Sequence, residues 1–268
     1  MDQLLLATYS LDFLDYRTWA ETMGCGLELH TFTEPAVLAG DLPAIVARHK
    51  RQLRGFRGRL GLHGAFYDMV SASLDPEIVA VTRKRYRQNL QTAAALDAQY
   101  VVFHANYMGG FKLPNYRPGW HQRQLDFWGP FTLEAASHGL VVLLENMWAP
   151  EPEIIADLIR DVNSPNLRSC LDIAHATLFS SLPIQRWIEV LSPYLYCCHL
   201  NNHDGQLDLH LPLTQGVVDY AALLPQLRRL AHPPLFTLEL PDRASIEASL
   251  CLLHLPQPGC PGVVPKQI

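Results

Sequence analysis

The sequence predicts a single-domain α/β protein in which eight parallel strands close into a (β/α)8 barrel. Eight short apolar runs alternate with longer amphipathic stretches along the chain, which is the pattern of repeated strand–helix units. The chain has 268 residues, close to the roughly 250 residues of one such barrel. A doubly wound open sheet is the competing fold, but no GxGxxG fingerprint follows a predicted strand.

Apolar, β-branched runs mark the strands, and stretches with one apolar face mark the helices. The strands are predicted at 3–9, 26–30, 59–63, 99–104, 140–145, 167–172, 194–200 and 234–239. The helices are predicted at 12–23, 41–54, 75–97, 119–138, 151–161, 183–191, 219–231 and 244–254.

Start and stop signals support several of these helices. Asp75 followed by Pro76 places an acid and a proline at the first turn of one helix, and Asp219 precedes another. Gly24 and Gly139 lie at predicted helix ends, just before the next strand. The alternation of strands and helices is therefore regular from end to end.

The barrel is predicted to occupy 1–255, followed by an irregular tail at 256–268 that is rich in proline and glycine. The amino terminus has an acidic second residue and only a brief apolar stretch, so we expect no signal peptide. No run reaches the roughly 20 apolar residues of a membrane span. The six cysteines lack CxxC spacing, which fits small buried side chains in a reducing compartment. We therefore expect a cytoplasmic protein without membrane contact.

Side chains that bind metals recur at or near the trailing ends of the predicted strands. In a parallel barrel all of these ends meet at one rim, so residues far apart in sequence converge there. Nine residues form this set: His63, His104, Glu145, Asp172, His175, His199, Asp208, His210 and Glu239.

Three of these acids end runs that are otherwise apolar, namely Glu145, Asp172 and Glu239. Carboxylates gathered at one rim repel one another, and a divalent cation is the simplest compensation. Imidazole and carboxylate without thiolate suit Zn²⁺, Mn²⁺ or Fe²⁺. The sequence therefore predicts a metalloenzyme.

Three segments carry a resemblance to a known family. LDIAHA, CHLNNHDGQLDLHLPLTQGVVDY and TLEL resemble the xylose-isomerase-like TIM-barrel superfamily. That superfamily contains sugar and sugar-phosphate isomerases and epimerases, and the endonuclease IV type, AP endonuclease family 2. The similarity extends from about GLELH to FTLEL and is most specific from His199 to Gly216.

The single-metal isomerases and epimerases of that superfamily supply our leading interpretation. Their resemblance implies a divalent-metal-dependent isomerase or epimerase of a small sugar, polyol or sugar phosphate. Glu145 and Glu239 would transfer a proton next to the substrate carbonyl, and His175 would contact the substrate. The implied metal ligands are Glu145, Asp172, His199 and Glu239.

The endonuclease IV type supplies the alternative, a multinuclear phosphoesterase, so that one to three ions per chain are possible. A small phosphate ester is favoured over abasic DNA, because the net charge of −5 gives no general attraction to polyanions. A metal-stabilised binding protein without turnover is a third interpretation. The added ligands implied by this resemblance are His63, His104, His175, Asp208 and His210.

Substrate contacts are expected near the same rim. The longest predicted loop, 105–119, follows the fourth strand and is either a lid over a small sugar or a self-packed surface loop. Glu28 ends the second strand, where it would contact substrate or orient a ligand. The candidate substrate-binding residues are Glu28, Tyr107, Lys112, Trp120 and His203.

Overall fold

A computed structural model describes residues 4–253 and contains eight parallel strands closed into a barrel. Each strand pairs with the next along the chain, and the last strand pairs with the first. The predicted fold class is confirmed, and every strand matches its predicted range to within one residue at either end. The strands are β1 (Leu4–Thr8), β2 (Gly26–Leu29), β3 (Leu60–His63), β4 (Tyr100–His104), β5 (Val141–Glu145), β6 (Leu167–Asp172), β7 (Leu195–Leu200) and β8 (Leu235–Leu238).

Helices follow the strands, as the alternation predicted. Within the described part of the chain, no helix is long and apolar enough to cross a membrane. The helices are α1 (Leu14–Met23), α2 (Pro35–Ala39), α3 (Leu42–Gln52), α4 (Pro76–Ala95), α5 (Tyr116–Ser137), α6 (Glu153–Val162), α7 (Ile173–Leu178), α8 (Ile184–Leu191), α9 (Tyr220–Arg228) and α10 (Arg243–Leu250), with 3₁₀ turns at Thr31–Thr33 and Cys251–Leu253.

The structure adds two short helices that the sequence did not predict, α2 and α7. The α7 helix begins directly after β6, where the Asp172 carboxylate accepts a hydrogen bond from the backbone N–H of His175 and so caps the first turn. Helix α5 begins at Tyr116, three residues before its predicted start, so the loop after β4 is shorter than predicted. The predicted tail, 256–268, lies outside the described residues.

Apolar side chains form two cores, one between strands and helices and one inside the barrel. The inner core contains Leu5, Val102 and Leu143 together with the thiols of Cys170 and Cys197. Burial raises the pKa of the Cys170 thiol well above its ordinary value, which suits a small buried side chain. These side chains fill the inside of the barrel below the rim that carries the predicted metal ligands.

The pairing of neighbouring strands determines which rim residues lie side by side. His104 on β4 is the direct partner of Glu145 on β5, and Asp172 on β6 is the direct partner of His199 on β7. These residues lie at or next to the carboxyl ends of their strands. The barrel therefore brings four of the predicted metal ligands together without any contribution from a loop.

Candidate metal centre

One group of donor atoms contains all four residues that the single-metal interpretation requires. One donor atom each of Glu145, Asp172, His199 and Glu239 lies within 4.8 Å of the other three. Asp172 and His199 are completely inaccessible to solvent, and Glu145 and Glu239 are 1% and 7% exposed. Such a buried, mainly acidic group needs compensating positive charge, so it could hold a divalent cation.

A second group lies beside the first and shares its central carboxylate. One donor atom each of His63, Glu145 and His199 falls within 4.8 Å of the others. The Nε2 atoms of His63 and His104 lie 3.2 Å and 3.3 Å from the same Glu145 oxygen, Oε2. Glu145 and His199 thus belong to both candidate sites, and Glu145 is their shared carboxylate.

A third group is built from α7 and the loop between β7 and α9, residues 201–219. It contains His175, Asp208 and His210. The Asp208 carboxylate lies 3.1 Å from His175 Nε2 and 3.4 Å from His210 Nε2. The Nδ1 atom of His175 lies 2.9 Å from Glu145 Oε1, so this group adjoins the other two.

The orientation of two imidazoles is compatible with a bound cation. His63 Nδ1 lies 2.9 Å from the carbonyl oxygen of Gly64, and His210 Nδ1 lies 2.9 Å from that of Glu239. A carbonyl can only accept, so Nδ1 carries the proton in both rings. In the neutral ring, the Nε2 lone pair then faces a carboxylate oxygen, of Glu145 for His63 and of Asp208 for His210. A cation between the two atoms makes this arrangement favourable.

Several buried donor atoms in the centre have no hydrogen-bond partner. They are Nδ1 of His175, both ring nitrogens of His199 and Oε2 of Glu239. His199 Nδ1 lies 3.1 Å from Glu239 Oε2, yet the two atoms lack hydrogen-bond geometry. Buried polar atoms are rarely left unpaired. Divalent ions bound among His175 Nδ1, His199 Nδ1 and Glu239 Oε2 would satisfy these three atoms, while His199 Nε2 lies 3.0 Å from a Glu28 oxygen. The residues present therefore fit the metal ions that the family resemblance implies.

The charges of the centre depend on one another. Burial alone raises the pKa of Glu145, but the nearby imidazoles of His104 and His199 outweigh it and hold that pKa well below its ordinary value. Burial alone lowers the pKa of His199, but the neighbouring carboxylates, that of Glu239 above all, raise it well above its ordinary value. The carboxylates therefore require positive charge, which protons on the imidazoles or bound cations can supply.

Asp172 is positioned by two asparagines that were not predicted from the sequence. Its backbone N–H donates to Asn146 Oδ1, and its Oδ2 accepts from Asn201 Nδ2 at 2.8 Å. Burial raises the pKa of Asp172 to about 6. Asn146 directly follows the last residue of β5, and Asn201 directly follows the last residue of β7. An asparagine at such a position has no distinctive sequence signal.

Glu28 lies beside His199 and does not line the cavity that opens above the donor groups. One of its oxygens lies 2.9 Å from His30 Nε2 and 3.0 Å from His199 Nε2, and the other accepts from Tyr100 and Thr237. Glu28 is completely buried. Of the two roles expected for it, the structure is consistent with orienting a ligand, because its carboxylate holds the far side of the His199 ring.

A cavity of about 390 Å³ opens above the donor groups. The predicted ligands His63, His104, Glu145, His175, Asp208, His210 and Glu239 line it. The rest of its lining was not predicted from the sequence and consists mostly of residues that come shortly after the strands. These are Tyr9, His30, Thr33, Glu34, Phe66, Tyr67, Met147 and Pro241.

Four predicted substrate contacts, Tyr107, Lys112, Trp120 and His203, do not line the described cavity. Tyr107 and Trp120 are buried, and their ring centroids lie 5.1 Å apart in an edge-to-face pair. His203 is buried as well, with its two ring nitrogens bonded to Thr177 and to the backbone of Gly205. The three buried side chains stabilise the surrounding loops.

The loop that carries Asp208 and His210 is organised by Asn202. The Asn202 side chain accepts from the backbone N–H groups of His203 and Val218, and its backbone pairs with Leu211. Gly216 passes so close that a Cβ atom there would lie 2.6 Å from Asn202 Oδ1. The third donor group therefore depends on the folding of this loop.

Comparisons with known proteins agree with this architecture. The family model described as "Xylose isomerase-like TIM barrel" matches residues 20–254. The TTHB071 protein of Thermus thermophilus, described as soaked with ZnCl2, is 30% identical, with 94% of this chain and 96% of that chain covered and a TM-score of 0.77.

More distant structures share the fold. A D-tagatose 3-epimerase-like protein is 19% identical over 94% of this chain and 96% of its own, with a TM-score of 0.78. An AP endonuclease family 2 protein of Brucella melitensis is 16% identical over 96% of this chain and 100% of its own, with a TM-score of 0.73. An uncharacterized protein of Methanocaldococcus jannaschii, MJ1311, is 23% identical over 185 residues, which span 66% of this chain but only 63% of that protein.

Proposed function

This chain belongs to the xylose isomerase-like TIM-barrel family, and within that family we propose that it is a multinuclear, divalent-metal-dependent phosphoesterase acting on a small phosphate ester. Its fold is shared by sugar epimerases and by an AP endonuclease family 2 protein, so the fold does not choose between them. The proposal rests on the arrangement of the site.

The observation that carries the proposal is the shared position of Glu145. Its two carboxylate oxygens lie within 2.9–3.3 Å of three imidazoles, those of His63, His104 and His175. It also belongs to two donor groups at once. A carboxylate that transfers protons needs an oxygen free to face the substrate, whereas a carboxylate that bridges two ions is engaged on both sides. Glu145 would therefore serve as a ligand of the metal ions and not as the group that transfers protons.

Zn²⁺, Mn²⁺ or Fe²⁺ bound in such groups lowers the pKa of water and offsets charge on the oxygens of a phosphate ester. The chain's own residues prepare this arrangement. His63 and His210 direct their Nε2 atoms toward carboxylate oxygens, because their Nδ1 atoms lie against backbone carbonyl oxygens. Asn146 and Asn201 hold Asp172 in place. The site is therefore organised before any substrate enters.

A second candidate function, epimerisation of a small sugar or sugar phosphate, is favoured by one observation. The four-residue group of Glu145, Asp172, His199 and Glu239 is complete by itself, and a single ion there would leave the two glutamates for proton transfer. Of the remaining five donors, His175 would contact the substrate, but His63, His104, Asp208 and His210 would lack a role. For this reason we prefer the phosphoesterase.

Metal stoichiometry tests the proposal directly. The full chain is loaded with ZnCl2, passed through a desalting column and subjected to elemental analysis, and phosphate release from small phosphate esters is then measured. We expect more than one tightly held ion per chain and hydrolysis that chelation abolishes. One ion per chain, together with metal-dependent interconversion of sugar epimers and no phosphate release, would establish the epimerase instead.

A further inference from the structure

We propose that the organic part of the substrate is a planar apolar ring, held at the cavity mouth by Tyr67, Tyr9 and Phe66, so that the substrate is an aryl-type phosphate ester. This inference rests on the proposed function and specifies its substrate class. The part of the cavity that the metal donors do not occupy carries the evidence.

One wall of the cavity presents aromatic faces next to the donor groups. The Phe66 ring stacks on the His104 imidazole, with 4.9 Å between centroids and 18° between planes. Tyr67 packs on Phe66 at 4.2 Å and is 46% exposed. The aromatic surface thus continues from a predicted metal ligand outward to the solvent.

Other apolar groups enter the cavity from separate loops. Tyr9 follows β1, is half-exposed and lies 4.8 Å from the His30 ring, while Met147 and Pro241 follow β5 and β8. Tyrosine combines a large apolar face with a polar hydroxyl, and aromatic rings pair favourably with other rings. A concave site of this kind suits an apolar ligand group.

Cationic side chains that would bind a polyanion are missing from this wall. None of the described residues that line the cavity is Lys or Arg, and Glu34 is among them. On α5, Arg117 is paired with Glu151, and Arg123 donates to the backbone carbonyl of Ala72. Nucleic-acid binding depends on positively charged tracks along the backbone, so a small ester is favoured over an oligonucleotide.

The size of the cavity agrees with this ligand class. Its volume of about 390 Å³ lies near the lower end of the range for small-molecule sites, roughly 300–1,000 Å³. A phosphate group at the metal donors and one ring between Tyr9 and Tyr67 would occupy it. The phosphate end would meet bound cations, and the ring would meet the aromatic faces of Tyr9, Phe66 and Tyr67.

The decisive experiment measures binding and turnover separately on the zinc-loaded full chain. Calorimetry compares phenylphosphonate with methylphosphonate, which resist hydrolysis, and kinetics compare phenyl phosphate with glycerol phosphate and an abasic oligonucleotide. We expect phenylphosphonate to bind about tenfold tighter and phenyl phosphate to have the highest kcat/KM. Tyr67→Ala should remove most of that preference, largely through KM, without changing the zinc content.

Leu133→Ala is the matched control, because Leu133 is a 71% exposed apolar residue on α5 that does not line the cavity. The inference would be overturned if the two phosphonates bound equally, or if Tyr67→Ala lowered kcat/KM equally for phenyl phosphate and glycerol phosphate. Hydrolysis of these esters would still support the proposed function. Tighter phenylphosphonate binding without hydrolysis of any ester would overturn the proposed function and retain the ring-binding wall. Preference for the abasic oligonucleotide would overturn the inference.

Discussion

Two regions of the molecule supply the donor atoms, and they differ in how firmly those atoms are held. Most donors lie at strand ends of the barrel, and those of Glu145, Asp172 and His199 are almost completely buried. Asp208 and His210 lie on the loop of residues 201–219, and each side chain is 26% exposed. Strand-end donors are positioned by the barrel's hydrogen-bond ladder, whereas loop donors are positioned by local contacts.

This difference predicts an order among the bound ions. A buried donor group loses little entropy when it binds an ion, because its atoms are already fixed, whereas a loop must be ordered first. His210 also has a left-handed backbone, with φ of 48°, which is uncommon for a residue other than glycine. We expect the group of His175, Asp208 and His210 to bind its ion most weakly.

The largest effect should come from Glu145, the carboxylate shared by the two strand-end groups, which are Glu145, Asp172, His199 and Glu239, and His63, Glu145 and His199. Glu145→Gln removes a charge from two groups at once, so we expect the loss of more than one ion per chain. Phosphate release should fall by at least about 10³-fold, and elemental analysis of the same sample gives the number of ions retained. Glu189→Gln is the control, because Glu189 is an exposed residue of α8. Retention of all ions in Glu145→Gln would contradict the bridging role.

Asp208→Asn should have a smaller effect that is confined to the loop. Only the third group loses a ligand, so we expect one ion fewer and a fall in phosphate release of roughly 10²-fold. Asp204→Asn is the matched control in the same loop, since its Oδ1 accepts only from the backbone of Gln206 and Leu207. If Asp208→Asn emptied the strand-end groups as well, the two regions would not be separable.

The regularity of the strand region explains how much of the molecule could be predicted from its sequence. Each strand is a short apolar run, and most of these runs end in a polar residue, so the fold and the candidate donors at the strand ends could be predicted from the amino-acid order. Asp208 and His210 lie on a loop, and their assignment as candidate donors depended on the family resemblance and stays a prediction. The short helix α7 was missed because Ile173–Leu178 is too brief for an apolar period to stand out. Its first turn is capped by the Asp172 carboxylate, which accepts a hydrogen bond from the backbone N–H of His175.

The loops around the rim show where sequence patterns fail. Tyr107 and Trp120 were expected at the mouth, but α5 begins at Tyr116 and its second turn carries Trp120 into a buried position. Conversely, Tyr9 and Tyr67 line the cavity, but a tyrosine at or shortly after the end of a strand has no distinctive sequence signal. The direction of a loop side chain depends on tertiary packing, and no local pattern encodes it.

The support beneath the strand-end groups can be weakened without removing a donor. Glu28→Gln keeps the size of the side chain but removes the charge beside His199 Nε2. We expect the affinity of the strand-end groups for zinc to fall by about 10- to 100-fold, as measured by competition with a chelator. The zinc affinity of the third group, His175, Asp208 and His210, should be unaffected, since neither oxygen of Glu28 bonds to a residue of that group. Equal weakening of all ions would show that Glu28 stabilises the whole rim and not His199 alone.

The smallest effect should follow from a change in the loop that leaves every donor in place. Gly216 has φ of 103°, and an added Cβ would lie 2.5 Å from the carbonyl oxygen of His203, so Gly216→Ala must shift the loop. We expect the most weakly held ion alone to bind about tenfold less tightly, with a thermal midpoint lowered by only a few degrees. Gly205→Ala is the control, because Gly205 has a similar φ of 91° but its added Cβ would meet only Val217 at 3.7 Å. Equal effects of the two variants would mean that backbone strain, and not the close packing on Asn202, controls the loop donors.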